Sequence, residues 1–324
     1  MKISINNSHQ FEASSNASIL ESARQSMYTI EHSCLNGRCS ECRAKVVCGS
    51  IEMPNSQEGL SENEVTNGYC LTCISKPLTD LDLEEVRFFE GVLPEVRTVP
   101  AKISRLEYLS KDVAKLTLRT PPNKRLEFIS GQYLDLSVNG IKRSYSIASM
   151  PSDKSIELII KNYPNGQFSN YLFHEAKVND LLRIEGPKGT YILPKKIPQK
   201  LLFISTGTGI APNLSLIKSA LERGVVQESQ ITLIHGQRTA MEHVYSIEDA
   251  FEGIEIIKCI SRESKEGFTS GYVQDAVKGL DLNIGDTLVF ACGNPQMIEE
   301  LKTLFITMGL EERNFKSDVF VPSN

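Results

Sequence analysis

The 324-residue chain contains no tryptophan and only five histidines. His9, His32, His174, His235 and His243 are scattered and make no metal spacing. It has neither a G-x-S-x-G elbow nor a Walker loop, so two common kinds of catalytic apparatus are missing. No excess of positive charge exists either. Net charge is −5, which gives a nucleic-acid role no electrostatic footing. No apolar run approaches the ~18–20 residues of a membrane span. The opening Met1-Lys2-Ile3-Ser4-Ile5-Asn6 lacks the apolar stretch of a signal peptide. These absences predict a cytoplasmic protein that touches neither membrane nor nucleic acid. The length suits two or three domains of roughly 100–150 residues.

Cysteine is present and unevenly spread. Six of eight lie between Cys34 and Cys73, with Cys259 and Cys292 far beyond. In a reducing cytosol such crowding reads as a metal or cluster site rather than disulfides. The loop runs Cys34-Leu-Asn-Gly-Arg-Cys39-Ser-Glu-Cys42, a C-x4-C-x2-C pattern, with Cys73 further on. That is the plant-type 2Fe–2S spacing. Two irons and two sulfides need four thiolates and a wrapped loop, and Gly37 permits the tight backbone. A zinc ribbon is the alternative, using Cys39-x2-Cys42 and Cys70-x2-Cys73, but it leaves Cys34 unexplained. With Cys34, Cys39, Cys42 and Cys73 as ligands, Cys48 and Cys70 are expected to pack as small hydrophobes. Residues 1–85 resemble a plant-type ferredoxin domain, and Gly68-Tyr-Cys-Leu-Thr-Cys73 resembles that family's fourth-ligand stretch. Leu35 and Ser40 depart from the basic residue and the glycine usual there.

Texture divides the chain into three segments. The predicted boundaries are 1–88 for the ferredoxin-like domain, 89–99 for a linker, 100–198 for a second domain and 199–324 for a third. The first should be a small β-grasp. It has a hairpin of Lys2–Asn6 and Gln10–Ala13 about an Asn7-Ser8 turn. A helix follows, with a Ser18/Glu21 capping box and an apolar face of Ile19, Leu20, Ala23 and Met27. Phe88 and Phe89 fit either a docking contact between domains or an ordinary satellite core. The acidic run around Asp80–Glu85 fits either a solvated face or a dock for a basic partner. The second segment is strand-rich, with Val113–Arg119, Gln132–Val138, Arg143–Ala148 and Ile156–Lys161 divided by turn residues, which predicts an antiparallel barrel. The third alternates strand and helix, which predicts a parallel doubly wound sheet.

Within the second segment, Arg143-Ser144-Tyr145-Ser146 resembles the R-x-Y-S signature of the ferredoxin–NADP reductase superfamily. The resemblance implies FAD. Arg143 would pair with the pyrophosphate, Tyr145 would lie on the flavin ring, and Ser146 would bond near N5. Asn165-Gly166-Gln167-Phe168-Ser169 resembles the superfamily's phosphate turn. There Gly166 allows close approach and Ser169 opens a helix whose N-terminus favours an anion. Gly186-Pro-Lys-Gly-Thr-Tyr191 resembles its turn out of the barrel.

In the third segment, Ser205-Thr206-Gly207-Thr208-Gly209-Ile210-Ala211-Pro212 links a buried strand to a helix, where a phosphate-binding turn belongs. It resembles the superfamily's G-G-T-G-x-A-P, with Thr206 replacing the first Gly. Ala291-Cys292-Gly293 resembles the cysteine–glycine motif beside the nicotinamide. Asp318-Val319-Phe320 resembles the carboxylate–x–aromatic tail, in which Glu is commoner. The resemblance places Ser146, Cys292 and Asp318 at the reacting rings. Gly236-Gln237-Arg238-Thr239 resembles NADH-using members, and Glu242 lies where NADPH would want basic groups.

Arg143–Ser149, Asn165–Phe173 and Glu185–Tyr191 together resemble the CDP-6-deoxy-Δ3,4-glucoseen reductases. That resemblance implies an NADH-dependent oxidoreductase passing electrons from NADH to FAD to a 2Fe–2S cluster. The acceptor it implies is a pyridoxamine-phosphate-dependent sugar dehydrase of 3,6-dideoxyhexose synthesis. Reductase components of oxygenases share the architecture. A redox carrier or sensor without enzymatic activity is the alternative of another class.

Overall fold

Alternating apolar residues set the first sheet. A computed structural model describes residues 1–54, 58–245 and 251–320. It divides into two compact units, Met1–Leu93 and Pro94–Asn324. In β1 (Lys2–Ile5), Ile3 and Ile5 are fully buried while Lys2 and Ser4 face outward. β1 turns back into β2 (His9–Glu12) with Ile3 opposite Phe11. The turn sits one residue earlier than expected. Asn6 and Asn7 take φ of 49° and 53°, a left-handed region that Asn tolerates. Helix α1 (Ile19–Gln25) follows, where Ser18 Oγ accepts the N–H of Glu21. Ile19, Leu20 and Ala23 are buried, but Met27 lies past the helix end at φ 66° and is exposed. It therefore leaves the apolar face expected for it.

The remaining elements are β3 (Tyr28–Ile30), β4 (Arg43–Cys48), β5 (Ile51–Glu52), α2 (Glu62–Thr66), β6 (Tyr69–Leu71), β7 (Lys76–Pro77), β8 (Leu81–Glu84) and β9 (Phe88–Glu90). The sheet order β2-β1-β8-β4-β6, with β1 parallel to β8, is a β-grasp over α1. A reciprocal capping box, absent from the sequence reading, holds α2 through Ser61 and Glu64. β9 pairs with β3, and Phe88 packs edge-on against Tyr28 and His9, as a satellite of this core.

The larger unit opens with β10 (Arg97–Tyr108), β11 (Val113–Arg119), β12 (Tyr133–Val138), β13 (Ile141–Ser146), β14 (Ile156–Lys161), α3 (Gln167–His174) and β15 (Leu181–Lys188). Its antiparallel order is β13-β12-β15-β10-β11-β14, and an Ile147–Leu158 bridge nearly closes the barrel. β10 and β15 were missed in the sequence because Pro100 and Gly186-Pro187 read as breaks. At Pro100, β10 is flanked by β15 alone, since pairing with β11 starts at Lys102. The missing N–H has a side without a partner strand.

The parallel sheet comprises β16 (Lys200–Thr206), α4 (Ile210–Glu222), β17 (Gln230–Gln237), β18 (Glu255–Ile260), β19 (Thr269–Ser270), α5 (Val273–Lys278), β20 (Thr287–Gly293), α6 (Pro295–Thr307) and β21 (Phe315–Val319). Its order β19-β18-β17-β16-β20-β21 reverses direction at β16. The crevice beyond the carboxyl ends of β16 and β20 is therefore the switch point where such sheets bind ligands. β21 was hidden by its polar Lys316-Ser317-Asp318. One core continues from the barrel into the sheet, with Ala148, Ile159 and Tyr191 packed among Leu201, Phe203 and Phe290. No helix among the described residues is long and apolar enough to cross a membrane.

Asn6 clasps the far end of the first unit. Its Nδ2 donates to Val86 O at 2.8 Å and its Oδ1 accepts from Val86 N at 3.0 Å. Asn6→Ala loses both bonds and puts alanine at positive φ. A loss of about 2–4 kcal/mol is expected in urea unfolding followed by circular dichroism. A loss below about 0.5 kcal/mol would mean the clasp is redundant.

Candidate functional site

Three sets of side chains concentrate the chemistry. The first is the Cys34–Cys42 loop with Cys73. Its thiols lie as two neighbouring pairs, Cys34 with Cys39 and Cys42 with Cys73. The neighbouring Cys39 thiol holds Cys34 below the usual thiol range. Cys39 and Cys42 are pushed up by their thiol partners and by burial. Backbone N–H groups also point at sulfur: Cys34 N lies 3.4 Å from Cys39 Sγ, and Arg38 N 3.3 Å from Cys34 Sγ. Two thiol pairs within a loop that donates N–H groups to sulfur fit a two-iron cluster. Leu35 and Ser40 both take positive φ, 57° and 61°. The Ser40 hydroxyl donates to Gly59 O, stitching the loop down. Cys70 is fully buried among Ile3, Ala44 and Leu71, as expected, and burial pushes its thiol up to about 12. Cys48 is not packed; it is exposed at the end of β4.

The second set spans barrel and sheet within the larger unit. Ser146 ends β13, Cys292 lies near the end of β20, and Asp318 lies near the end of β21. All three are almost fully buried. Ser146 Oγ donates to Asp318 Oδ2 at 3.0 Å, and Cys292 Sγ lies 4.0 Å from the same oxygen. Burial, reinforced by the Asp318 charge, pushes the Cys292 thiol far up, so it stays protonated. Two glycine contacts fix the approach. A Cβ on Gly209 would lie 2.4 Å from Cys292 O, and one on Gly293 would lie 2.5 Å from Thr206 Oγ1. The Gly207–Gly209 turn and the Cys292–Gly293 bend thus interlock, and only glycine fits either position. Pro212 is buried in the first turn of α4. Phe320, after β21, is partly buried against the core shared by barrel and sheet.

Arg143 and Tyr145 alternate with Ser144 and Ser146 along β13. Tyr145 packs on Phe168 of α3 with ring centroids 5.4 Å apart. Phe168 is fully buried in the barrel core, so its ring serves packing and leaves only its backbone to a ligand. Helix α3 starts at Gln167, two residues before the expected Ser169. Ser169 turns inward, donating to Gly166 O at 3.0 Å. Gly166 caps α3 with no side-chain acceptor, and Gln167 is exposed beside it. An uncapped helix start with a nearby arginine strand suits a diphosphate. Arg143 Nη1 donates to Lys142 O, while Ser144 donates to Asp135 at 2.6 Å. Ser144 is thereby tied to the Asp135–Lys188 ion pair.

The third set is polar and buried, and sequence reasoning missed it. His235 is fully buried in β17, with Nδ1 3.0 Å from Ser205 Oγ and Nε2 3.2 Å from Gln237 Nε2. It links the strand feeding the glycine turn to the loop after β17. That loop carries Arg238, whose side chain is exposed and whose N–H meets Glu242 Oε2 at 3.2 Å. Ala240 N donates to Glu263 Oε1 at 2.6 Å. Asn213 of α4 is also fully buried, accepting from Tyr191 Oη at 2.7 Å and donating to Ile204 O. A lone histidine in an apolar strand carries no spacing signal, so only the fold reveals these contacts.

Three family models match successive stretches of the chain. A 2Fe–2S iron–sulfur cluster binding domain matches residues 3–78, an oxidoreductase FAD-binding domain 100–192, and an oxidoreductase NAD-binding domain 203–303. A CDP-6-deoxy-L-threo-D-glycero-4-hexulose-3-dehydrase reductase of Yersinia pestis is 33% identical, over 97% of this chain and 96% of its own. The ferredoxin–NAD(P)(+) reductase component of naphthalene 1,2-dioxygenase/salicylate 5-hydroxylase systems from a Ralstonia species is 30% identical, over 96% and 95%. Among solved structures, the cytochrome P450 reductase of Amycolatopsis shares the fold with a TM-score of 0.78 over 99% of both chains, at 24% identity.

Burial depresses His235 to about 3, from an ordinary value of 6.5. Between those values the unfolded chain binds the proton and the native chain does not. Stability is therefore complete above about pH 6.5 and falls as pH drops towards 3, by about 1.4 kcal/mol per unit at most. In urea unfolding from pH 7 to 4.5, His235→Gln should show a shallower pH slope than the parent chain. Equal slopes would contradict a neutral buried imidazole.

Proposed function

The chain belongs to the family of iron–sulfur flavoprotein reductases that join a 2Fe–2S domain to FAD- and NAD-binding domains, and from that premise we propose an electron donor to the dehydrase of 3,6-dideoxyhexose synthesis. The observation that carries the reading is end-to-end likeness to a dehydrase reductase, 33% over 97% of the chain. When bound, FAD would supply the conversion between two-electron exchange with NADH and one-electron exchange, and the 2Fe–2S group would supply single-electron transfer to the partner.

The chain's own residues bind, orient and exclude water. Cys34, Cys39, Cys42 and Cys73 hold the cluster through two thiolate pairs. Arg143 and the start of α3 at Gly166 and Gln167 take the FAD diphosphate, with Tyr145 and Ser144 shaping the strand between them. The Gly207-Thr208-Gly209 turn receives the nicotinamide nucleotide, with Pro212 and Gly293 fixing its walls and Phe320 closing the core behind it. Asp318 holds the Ser146 proton and so aims the hydroxyl's lone pairs at the crevice. Cys292, kept protonated, adds no charge to the core beneath the crevice. NADH is favoured over NADPH because Glu242 and Glu263 occupy backbone N–H groups beside Arg238, where a 2′-phosphate would meet negative charge. The acceptor is a partner protein, a pyridoxamine-phosphate-dependent sugar dehydrase.

Asp318→Asn removes the charge from the Ser146 hydrogen bond. Anaerobic stopped-flow bleaching of the flavin by NADH should slow by about 10- to 100-fold, with iron content unchanged. An unaltered rate would remove Asp318 from the reacting site. The acceptor is tested by supplying NADH and this chain to a purified sugar dehydrase and, separately, to an oxygenase. NADH-driven 3-deoxygenation of the CDP-sugar is expected. Rapid turnover with the oxygenase and none with the dehydrase would overturn the sugar reading.

A further inference from the structure

The cluster-binding family match ends at residue 78, yet the first compact unit continues to Leu93. The extra segment sends one side chain back to the cluster loop. Arg87 Nη2 lies 2.7 Å from Glu41 Oε2 and 3.0 Å from Glu41 O, and Nε lies 3.8 Å from Glu31 Oε2. The side chains of Glu31 and Glu41 are only 12% exposed and that of Arg87 only 19%. Glu41 sits between Cys39 and Cys42, and Glu31 lies three residues before Cys34. One guanidinium therefore grips both ends of the ligand loop.

Its backbone is fixed on both sides. Asn6 holds both polar groups of Val86, and Arg87 O accepts from Glu31 N at 2.8 Å where β9 runs beside β3. The planar fork is pre-aimed, so little side-chain entropy opposes the contacts. An exposed ion pair in that place would carry little weight. This one is mostly screened from water, binds a backbone carbonyl as well as a carboxylate, and sits beside two ligand cysteines.

We propose that Arg87 is a positioning residue for the 2Fe–2S cluster, clamping its loop and setting its reduction potential from outside the ligand-bearing segment. The proposal rests on the assignment of Cys34, Cys39, Cys42 and Cys73 as ligands. Reduction adds negative charge to the cluster, and Arg87 offsets that charge together with those of Glu31 and Glu41. Removing it leaves two nearly buried carboxylates facing a more negative cluster, so electron entry becomes harder. Lysine in its place restores the charge but cannot form the fork.

The test uses the full holoprotein with Arg87→Met and Arg87→Lys. Potentiometric titration followed by electron paramagnetic resonance should show a lower cluster potential in Arg87→Met, restored towards the parent value in Arg87→Lys. Both variants should lose iron to a chelator faster, by about 10-fold for Arg87→Met. NADH-driven ferricyanide reduction, taken at the flavin, should stay within about two-fold of the parent rate. Unchanged potential, spectrum and iron loss in Arg87→Met would overturn the proposal. So would a fall of ferricyanide reduction as large as the loss of cluster-dependent cytochrome c reduction. If Arg87→Met does not fold, Glu41→Gln decides, because a potential unmoved from the parent contradicts the electrostatic role. A parent chain with no 2Fe–2S resonance would instead sink the ligand assignment.

Discussion

The larger unit depends on one carboxylate. Asp318 sits near the end of an edge strand of the parallel sheet and accepts a hydrogen bond from Ser146, the last residue of a barrel strand. A buried carboxylate is costly unless hydrogen-bonded, and the Ser146 hydroxyl supplies one such bond across the barrel and the sheet. The shared core of Ala148, Tyr191, Phe203 and Phe290 then fills behind the contact, and Ser215 Oγ adds a 2.6 Å bond to Ser149 O. The crevice at the sheet's switch point thus has one wall from each half.

The smaller unit solves a different problem. A cluster with four thiolates is strongly negative, and its loop must supply compensation without closing off electron exit. The loop uses N–H groups aimed at sulfur, the Ser40 stitch to Gly59, and a cation reaching in from Arg87. The Arg38–Glu58 pair at 2.9 Å lies on the outer side and is more exposed. It contributes less, since solvent screens it.

Much of this was legible in the sequence where chemistry dictates spacing. The cysteine pattern, the Arg143–Ser146 run and the glycine turn each encode a local requirement. So Ser146, Cys292 and Asp318 could be named together from three distant segments, and they do meet. What escaped depends on pairing partners far along the chain. β10 looked broken at Pro100, but only β15 flanks it there, so the missing N–H is tolerated, and β21 looked like a tail because its polar residues are buried by contacts rather than by hydrophobicity. Phe168 lies within the stretch that resembles a phosphate turn, and its ring is buried in the barrel core. Cys48 was expected to be packed but stands exposed, since a strand's alternation does not say where the strand ends. His235 and Arg87 carry no motif, and their roles emerge from which strands lie side by side.

The central claim is that electrons taken from the nicotinamide reach the cluster of the same chain. An anaerobic titration of the holoprotein with NADH, followed by electron paramagnetic resonance, tests it most directly. The account predicts the rhombic signal of a reduced 2Fe–2S centre, growing with added NADH to about one spin per chain. Complete bleaching of the flavin with no cluster signal would contradict it.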